Sequence, residues 1–174
     1  MASMLSRLTG VAVAISVGCA TNASVTNATS PGGSKAALDP IAFFTGQTRG
    51  EGELDTLLSS PVKVFVDSVG RRDGDTLTLD QTIREGRRPA RVRRWMMRRT
   101  EPNRYVGTLT DATGAVHITV TGPNAHISYN MKGGLGVRQQ LTLQSDGRTL
   151  LNRLQVRKFG LPVATLEETI RKLD

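Results

Sequence analysis

Turn-forming clusters punctuate this chain so regularly that helices of ordinary length have little room between them. Ser59-Ser60-Pro61, Asp73-Gly74, Glu85-Gly86, Glu101-Pro102-Asn103, Thr113-Gly114, Gly122-Pro123-Asn124, Gly133-Gly134 and Asp146-Gly147 recur about every 10–14 residues. The runs between them alternate apolar and polar residues, as strands with one buried face must, because successive side chains leave opposite faces. Val62, Val64 and Val66 form one such stripe, Leu77, Leu79 and Ile83 another, and Val116, Ile118 and Val120 a third. Ile127, Tyr129 and Met131 continue the pattern; Val137, Leu141 and Leu143 follow it with Gln139 interrupting. Leu150, Leu154 and Val156 share a face with Asn152 and Lys158. Short connections force antiparallel neighbours, and a meander removes its exposed edges by closing on itself. The expected fold is therefore all-β, an antiparallel up-and-down meander closed into a barrel of about 8–10 strands.

Two segments depart from the alternation. Asp39-Pro40 is a helix-start signal, with Asp placed to cap free amides and Pro at the first helical position, and it predicts a single short helical turn. Gly46, Gly50 and Gly52 then open a strand in which the glycines are expected at bulges or bends. At the other end, Thr165 with Glu168 has capping-box spacing, and Leu166, Ile170 and Leu173 recur at helical intervals. The need to pair the first and last strands favours a strand over residues 164–173, and that reading is preferred.

The first 36 residues belong to neither pattern. Residues 1–19 carry Arg7, an apolar run from Leu8 to Val17, and Gly18-Cys19. About ten apolar residues are too few to span a bilayer as a helix but match a signal-peptide core. Ser16-Val17-Gly18-Cys19 is a degenerate lipobox, so lipidation at Cys19 competes with removal of a leader at a small-residue site, and lipidation is preferred. Residues 20–36, rich in Asn, Ser, Thr and Gly, read as a flexible tether, leaving 37–174 as the domain. The chain is expected to be exported, to the periplasm or to a membrane surface. With one cysteine it has no internal disulfide framework.

The formal charge is +8, and it is unevenly placed. Eight arginines, Arg84, Arg87, Arg88, Arg91, Arg93, Arg94, Arg98 and Arg99, fall within sixteen residues that contain one acid, Glu85. On a strand, Arg91, Arg93, Trp95, Met97 and Arg99 share one face, and Val92, Arg94, Met96 and Arg98 the other. Either face would bring a guanidinium towards the lumen, where an unpaired charge is costly unless an anionic ligand or an acid such as Glu51, Glu53, Asp80, Glu167 or Glu168 meets it. The candidate ligand-binding residues are Arg93, Trp95 and Met97, with Tyr105, Tyr129 and Arg157: Arg forks suit carboxylates and phosphates, and Met lines adaptable apolar pockets. Arg84, Arg87, Arg88, Arg91, Arg94, Arg98 and Arg99 form a basic surface in the competing reading.

Other chemistries find little support. Nucleic acid is disfavoured because only Trp95 stands among the arginines and no recognised module accompanies them. His117 and His126 are two ligands where a metal needs three or four. Adjacent Glu167 and Glu168 point to opposite faces of a strand and make no acid–base dyad. Gly-x-Ser-x-Gly is absent, and no cofactor is expected.

Several blocks resemble a bacterial family catalogued as domain of unknown function 3833. They are Phe43-Phe44-Thr45-Gly46 with Gly50 and Gly52, Arg94-Trp95, Tyr105 to Asp111, and Leu150-Leu151-Asn152-Arg153 with Arg157-Lys158-Phe159-Gly160. The resemblance implies a lipocalin- or calycin-like barrel, often behind a lipoprotein leader, and transfers no active site. The expectation is a non-enzymatic, membrane-tethered barrel that binds a small amphipathic or lipid-like molecule. Its competitor is a surface module whose Arg-rich strand docks to anionic lipid or an acidic protein.

Overall fold

The computed structural model describes residues 37–174. The sequence assignments to residues 1–19 and 20–36, including the lipidation of Cys19, lie outside them. One short helix, α1 (Pro40–Phe44), precedes ten strands. These are β1 (Gly46–Thr56), β2 (Ser59–Asp73), β3 (Thr76–Glu85), β4 (Arg91–Glu101), β5 (Arg104–Leu109), β6 (Val116–Thr121), β7 (Asn124–Met131), β8 (Leu135–Leu143), β9 (Thr149–Lys158) and β10 (Leu161–Lys172). Each strand pairs antiparallel with its neighbours in sequence, and β1 pairs with β10, so the sheet is a closed barrel. The seam runs from Thr48 opposite Lys172 to Thr56 opposite Ala164. Residues 164–173 are thus strand rather than helix, apart from the last. Their helical spacing is overridden by the nine backbone pairs that a closing strand makes with β1.

Up-and-down connectivity sorts the turns into two ends. One end, the mouth, carries residues 57–58, 86–90, 110–115, 132–134 and 159–160; α1 lies at the other. Two local expectations are corrected. Ser59-Ser60-Pro61 is not a turn: the β1–β2 reversal is Leu57-Leu58, and Ser59 already pairs with Thr56. Gly50 and Gly52 sit in regular register opposite Ile170 and Glu168, not at a bulge. They are needed because a Cβ at Gly50 would fall inside the Glu168 carboxyl group, and one at Gly52 would meet the Glu167 backbone.

The closed end is filled by α1. Asp39 caps it, its carboxylate accepting from the amides of Ile41 (3.0 Å) and Ala42 (3.2 Å). Pro40, Ile41, Phe43 and Phe44 are buried, and the two Phe rings meet edge to face at 5.1 Å. Leu77, Leu79, Trp95, Met97, Tyr105, Ile118, Leu141 and Leu150 pack beneath the helix in one apolar cluster. Two cations tie the plug to the wall. Arg99 donates to Asp39 at 2.6 Å and lies over the Tyr105 ring, and Lys172 donates to the carbonyls of Phe43 and Thr45.

The fit of plug to wall is tightest at Gly70 on β2, where a Cβ would occupy the Phe44 carbonyl oxygen. Gly70→Ala is expected to lift the helix and cost about 1–3 kcal/mol, as overpacking generally does. Urea unfolding measures this; an unchanged midpoint would show that the plug does not bear on Gly70.

Candidate functional site

Polar residues interrupt the inward stripes at the middle of the barrel. Ser68, Gln81 and Arg93 lie directly opposite one another on β2, β3 and β4. Asn152 on β9 faces Glu168 on β10, which faces Gly52 on β1. Ser68, Gln81, Asn152 and Glu168 are all buried. Buried polar groups need partners, and these hydrogen-bond in two sets. In the first, Gln81 Oε1 accepts from Arg93 Nε and from Trp95 Nε1, both at 2.8 Å, and Gln81 Nε2 donates to Ser68 Oγ at 3.1 Å. In the second, Asn152 Nδ2 donates to Glu168 Oε2 at 2.7 Å, leaving Asn152 Oδ1 without a partner among the described residues.

Above this belt, towards the mouth, the barrel is hollow. The cavity measures about 440 Å³, within the range of small-molecule sites. Val64, Val66, Ile83, Val137, Leu154 and Leu166 form apolar walls, while Arg93, Asn152, Glu168 and Tyr129 supply polar groups; Glu85, Arg88, Arg91 and Asp111 also border it. Val64, Val66 and Ile83 form an apolar cluster separate from the plug core. Depressions of similar volume on the outer face, such as that between His117, His126, Arg138 and Arg153, lie over exposed polar strand positions.

Arg93 is the central charged group. Its Nε is held by Gln81, and its guanidinium lies 5.7 Å from the Trp95 ring centre. Its two terminal nitrogens have no acceptor, and no acid forms an ion pair with it, among the described residues. Burial pushes its pKa down, with Arg91 adding to the effect, while Tyr129, Asp111 and Glu168 oppose it through space. Guanidinium nevertheless stays protonated at neutral pH. Burial raises the Glu168 pKa, opposed by the Asn152 hydrogen bond and by Arg93. The Tyr129 phenol is likewise raised by burial, and its ring packs edge to face on Trp95 at 5.8 Å.

The structure separates the residues singled out from sequence. Arg93 and Tyr129 border the cavity, whereas Trp95, Met97 and Tyr105 point inward but belong to the packed core. Arg157 is on the outer face, donating to Gln155 at 2.7 Å, because its β9 neighbours Val156 and Lys158 take the inward parity. The basic segment does not form one surface. Arg84 pairs with Asp67, Arg88 with Glu85, Arg91 with Asp111 and Arg94 with Asp80, while Arg99 is half-buried against the plug. Arg87 and Arg98 are exposed with no acid partner among the described residues. Sequence reasoning misses Gln81, Asn152 and Ser68 as site residues and offers Glu168 only as a counter-charge to an inward arginine. Their signal was available: each breaks an apolar stripe, as Gln81 does between Leu79 and Ile83, and Glu168 between Leu166 and Ile170.

These features define a closed ten-stranded barrel of lipocalin-like architecture with an internal cavity. The chain belongs to the family described as "Protein of unknown function (DUF3833)", which matches residues 14–172. Three solved structures share the fold at low identity. The S-type phycobiliprotein lyase CPES from Guillardia theta aligns with a TM-score of 0.61 at 6% identity, covering 77% of this chain and 90% of that one. Rv2717c from M. tuberculosis aligns with 0.58 at 18%, covering 79% and 99%. A protein of unknown function from the DUF3598 family of Nostoc punctiforme aligns with 0.57 at 14%, covering 79% of this chain and 50% of that one. No curated protein sequence matches the chain.

Burial of Glu168 has a consequence for stability. An acid whose pKa is higher folded than unfolded holds its proton in the native state after the unfolded chain has lost it. Stability therefore falls as pH rises from the ordinary carboxyl value through the raised one. Glu168→Gln should flatten this part of the stability–pH curve, measured by denaturant unfolding at several pH values. A profile unchanged by the substitution would mean that Glu168 is not the group responsible.

Proposed function

We propose that this protein is a non-enzymatic binder of a small amphipathic molecule with an acidic head, exported and held at a membrane. The single observation that carries the ligand reading is the guanidinium of Arg93: a half-buried cation that reaches into the lumen, its terminal donors unused by described residues, at the base of a cavity of about 440 Å³ with apolar walls. A cation drawn partly out of water without a counter-charge is costly, and a carboxylate or phosphate offers two acceptors matched to the free edge of the fork. The apolar walls would take the tail.

Glu168 makes the binding pH-dependent. Protonated, it can donate to an acidic head; ionised, it repels one. Carboxylate affinity should therefore weaken as pH rises through the Glu168 transition.

Trp95, the only tryptophan, touches the Arg93 side of the belt and reports on it. A medium-chain fatty acid titrated into the full chain should change its fluorescence. Arg93→Met should weaken that binding by about 10–100-fold, the scale of a lost charged hydrogen bond in a desolvated site. Arg157→Ala, on the outer face, should leave it unchanged. Equal affinity in the parent and in Arg93→Met would overturn the assignment.

Export and tethering rest on the leader-like residues 1–19 and the lipobox-like Cys19. Mass spectrometry of protein from its bacterial host should find a diacylated Cys19 at the mature N-terminus. A free terminus at Thr21 or Ser24 would remove the anchor from the proposal.

A further inference from the structure

The three most exposed large apolar side chains in the described domain all sit in turns at the mouth. They are Leu58 at 95%, Phe159 at 90% and Leu57 at 73%; Leu161, beside Phe159, is 68% exposed. The turns are neighbours, because β1 and β10 form the seam, and Leu57 N donates to Val163 O at 3.1 Å. Two-residue turns normally carry Gly, Asn, Asp or Ser, whose short or absent side chains suit the backbone. Here Leu57-Leu58 fills one. Phe159-Gly160 fills the other, with φ of +50° and +82°.

Phe159 is the only non-glycine residue with positive φ among the described residues. A bulky side chain there strains the backbone, and its exposed ring recovers little of that cost by packing. Local stability does not explain the residue, and strain held at an exposed position points to a role in contact. The charge around the tips is also one-sided. Lys63 pairs with Glu53, Arg88 with Glu85 and Arg91 with Asp111. That leaves Arg87, Lys132, Arg157 and Lys158 without an acid partner, against Asp55 alone, among the mouth residues described. Lys158 Nζ lies 5.7 Å from the Phe159 ring centre, so one tip presents a cation and an aromatic surface together.

We propose that the mouth of the barrel docks on an anionic phospholipid bilayer, with Leu57, Leu58, Phe159 and Leu161 entering the interface and the unpaired cations meeting headgroup phosphates. Apolar tips gain free energy by leaving water, and each cation near an anionic leaflet adds attraction that salt screens. This surface shares only Arg87 with the unpaired arginines of the Arg-rich segment, whose Arg84, Arg88, Arg91 and Arg94 are paired with acids. The docking requires no occupant in the cavity and stands independently of the ligand assignment.

The test places a tryptophan by Phe159→Trp in the full chain, with Asn103→Trp at the opposite end of the barrel as control, Trp95 being common to both. Vesicles of phosphatidylcholine with phosphatidylglycerol, some brominated in the acyl chains, serve as probe. The indole of Phe159→Trp should shift to the blue and be quenched by brominated lipid, more so in anionic than in neutral vesicles; that of Asn103→Trp should not. Leu57→Ser combined with Leu58→Ser should lower vesicle partitioning at least about tenfold, and Lys132→Gln about fivefold.

Phe159→Asn discriminates a structural from a docking role. Relief of the strained φ should raise the melting temperature while vesicle binding by the mouth falls. A Phe159→Trp indole unmoved by anionic vesicles, or quenched no more than that of Asn103→Trp, would overturn the proposal. So would a blue shift that follows protein concentration without lipid, since it would assign the tips to a second copy of the chain.

Discussion

Closure of the sheet between β1 and β10 is the constraint on which the rest of the domain depends. A ten-stranded meander left open would expose two unpaired edges, each a template for pairing with another chain. The seam removes both, and it is made possible by the absence of side chains at Gly50 and Gly52. Glu168 on β10 lies across β1 where ordinary residues would put a Cβ, so strand pairing and the placement of a buried carboxyl are one arrangement. Arg93 stands on β4, and its Nε position is set through Gln81 and Ser68 on the two intervening strands.

The lumen is consequently divided by chemistry. Towards α1 it is a packed apolar core; at its middle lie hydrogen-bonded polar side chains; towards the mouth it is a hollow with apolar walls. On β2 and β3 the polar belt, through Ser68 and Gln81, sets Val64, Val66 and Ile83 apart from the plug core, whereas on β7 to β9 Tyr129, Val137 and Leu154 carry that core past the belt into the cavity wall. The belt also separates the two fates of the inward arginines. Both have an aromatic ring beside them, but Arg99, at the plug, has Asp39 as its acid partner, whereas Arg93 has a glutamine and an open space.

Much of the architecture was legible because strand parity is a local property. The alternation at Val116 to Val120 and at Ile127 to Met131 translates directly into inward and outward faces, and the Asp39-Pro40 signal into a capped turn. Pairing is not local. The helical spacing of Leu166, Ile170 and Leu173 carries no trace of the β1 backbone that claims them, and Ser59-Ser60-Pro61 is more turn-like than the Leu57-Leu58 that makes the turn. The site was partly legible for the same reason. Arg93 stood out by charge, and the parity of β9 already sets Arg157 opposite Leu154 and Val156, on the outer face. Met97 shares the inward face yet lies below the cavity, because sequence gives parity along a strand but not height within a barrel.

The short turns at the mouth also bear on how a guest would enter and leave. Two of the five mouth connections are two residues long, and both are pinned beside the seam. Such loops have too little chain to fold over the opening. On that side of the rim, exchange would proceed without the loop closure that slows release from lidded sites, so residence time there would follow the grip of the walls and of Arg93, not the opening rate of a door.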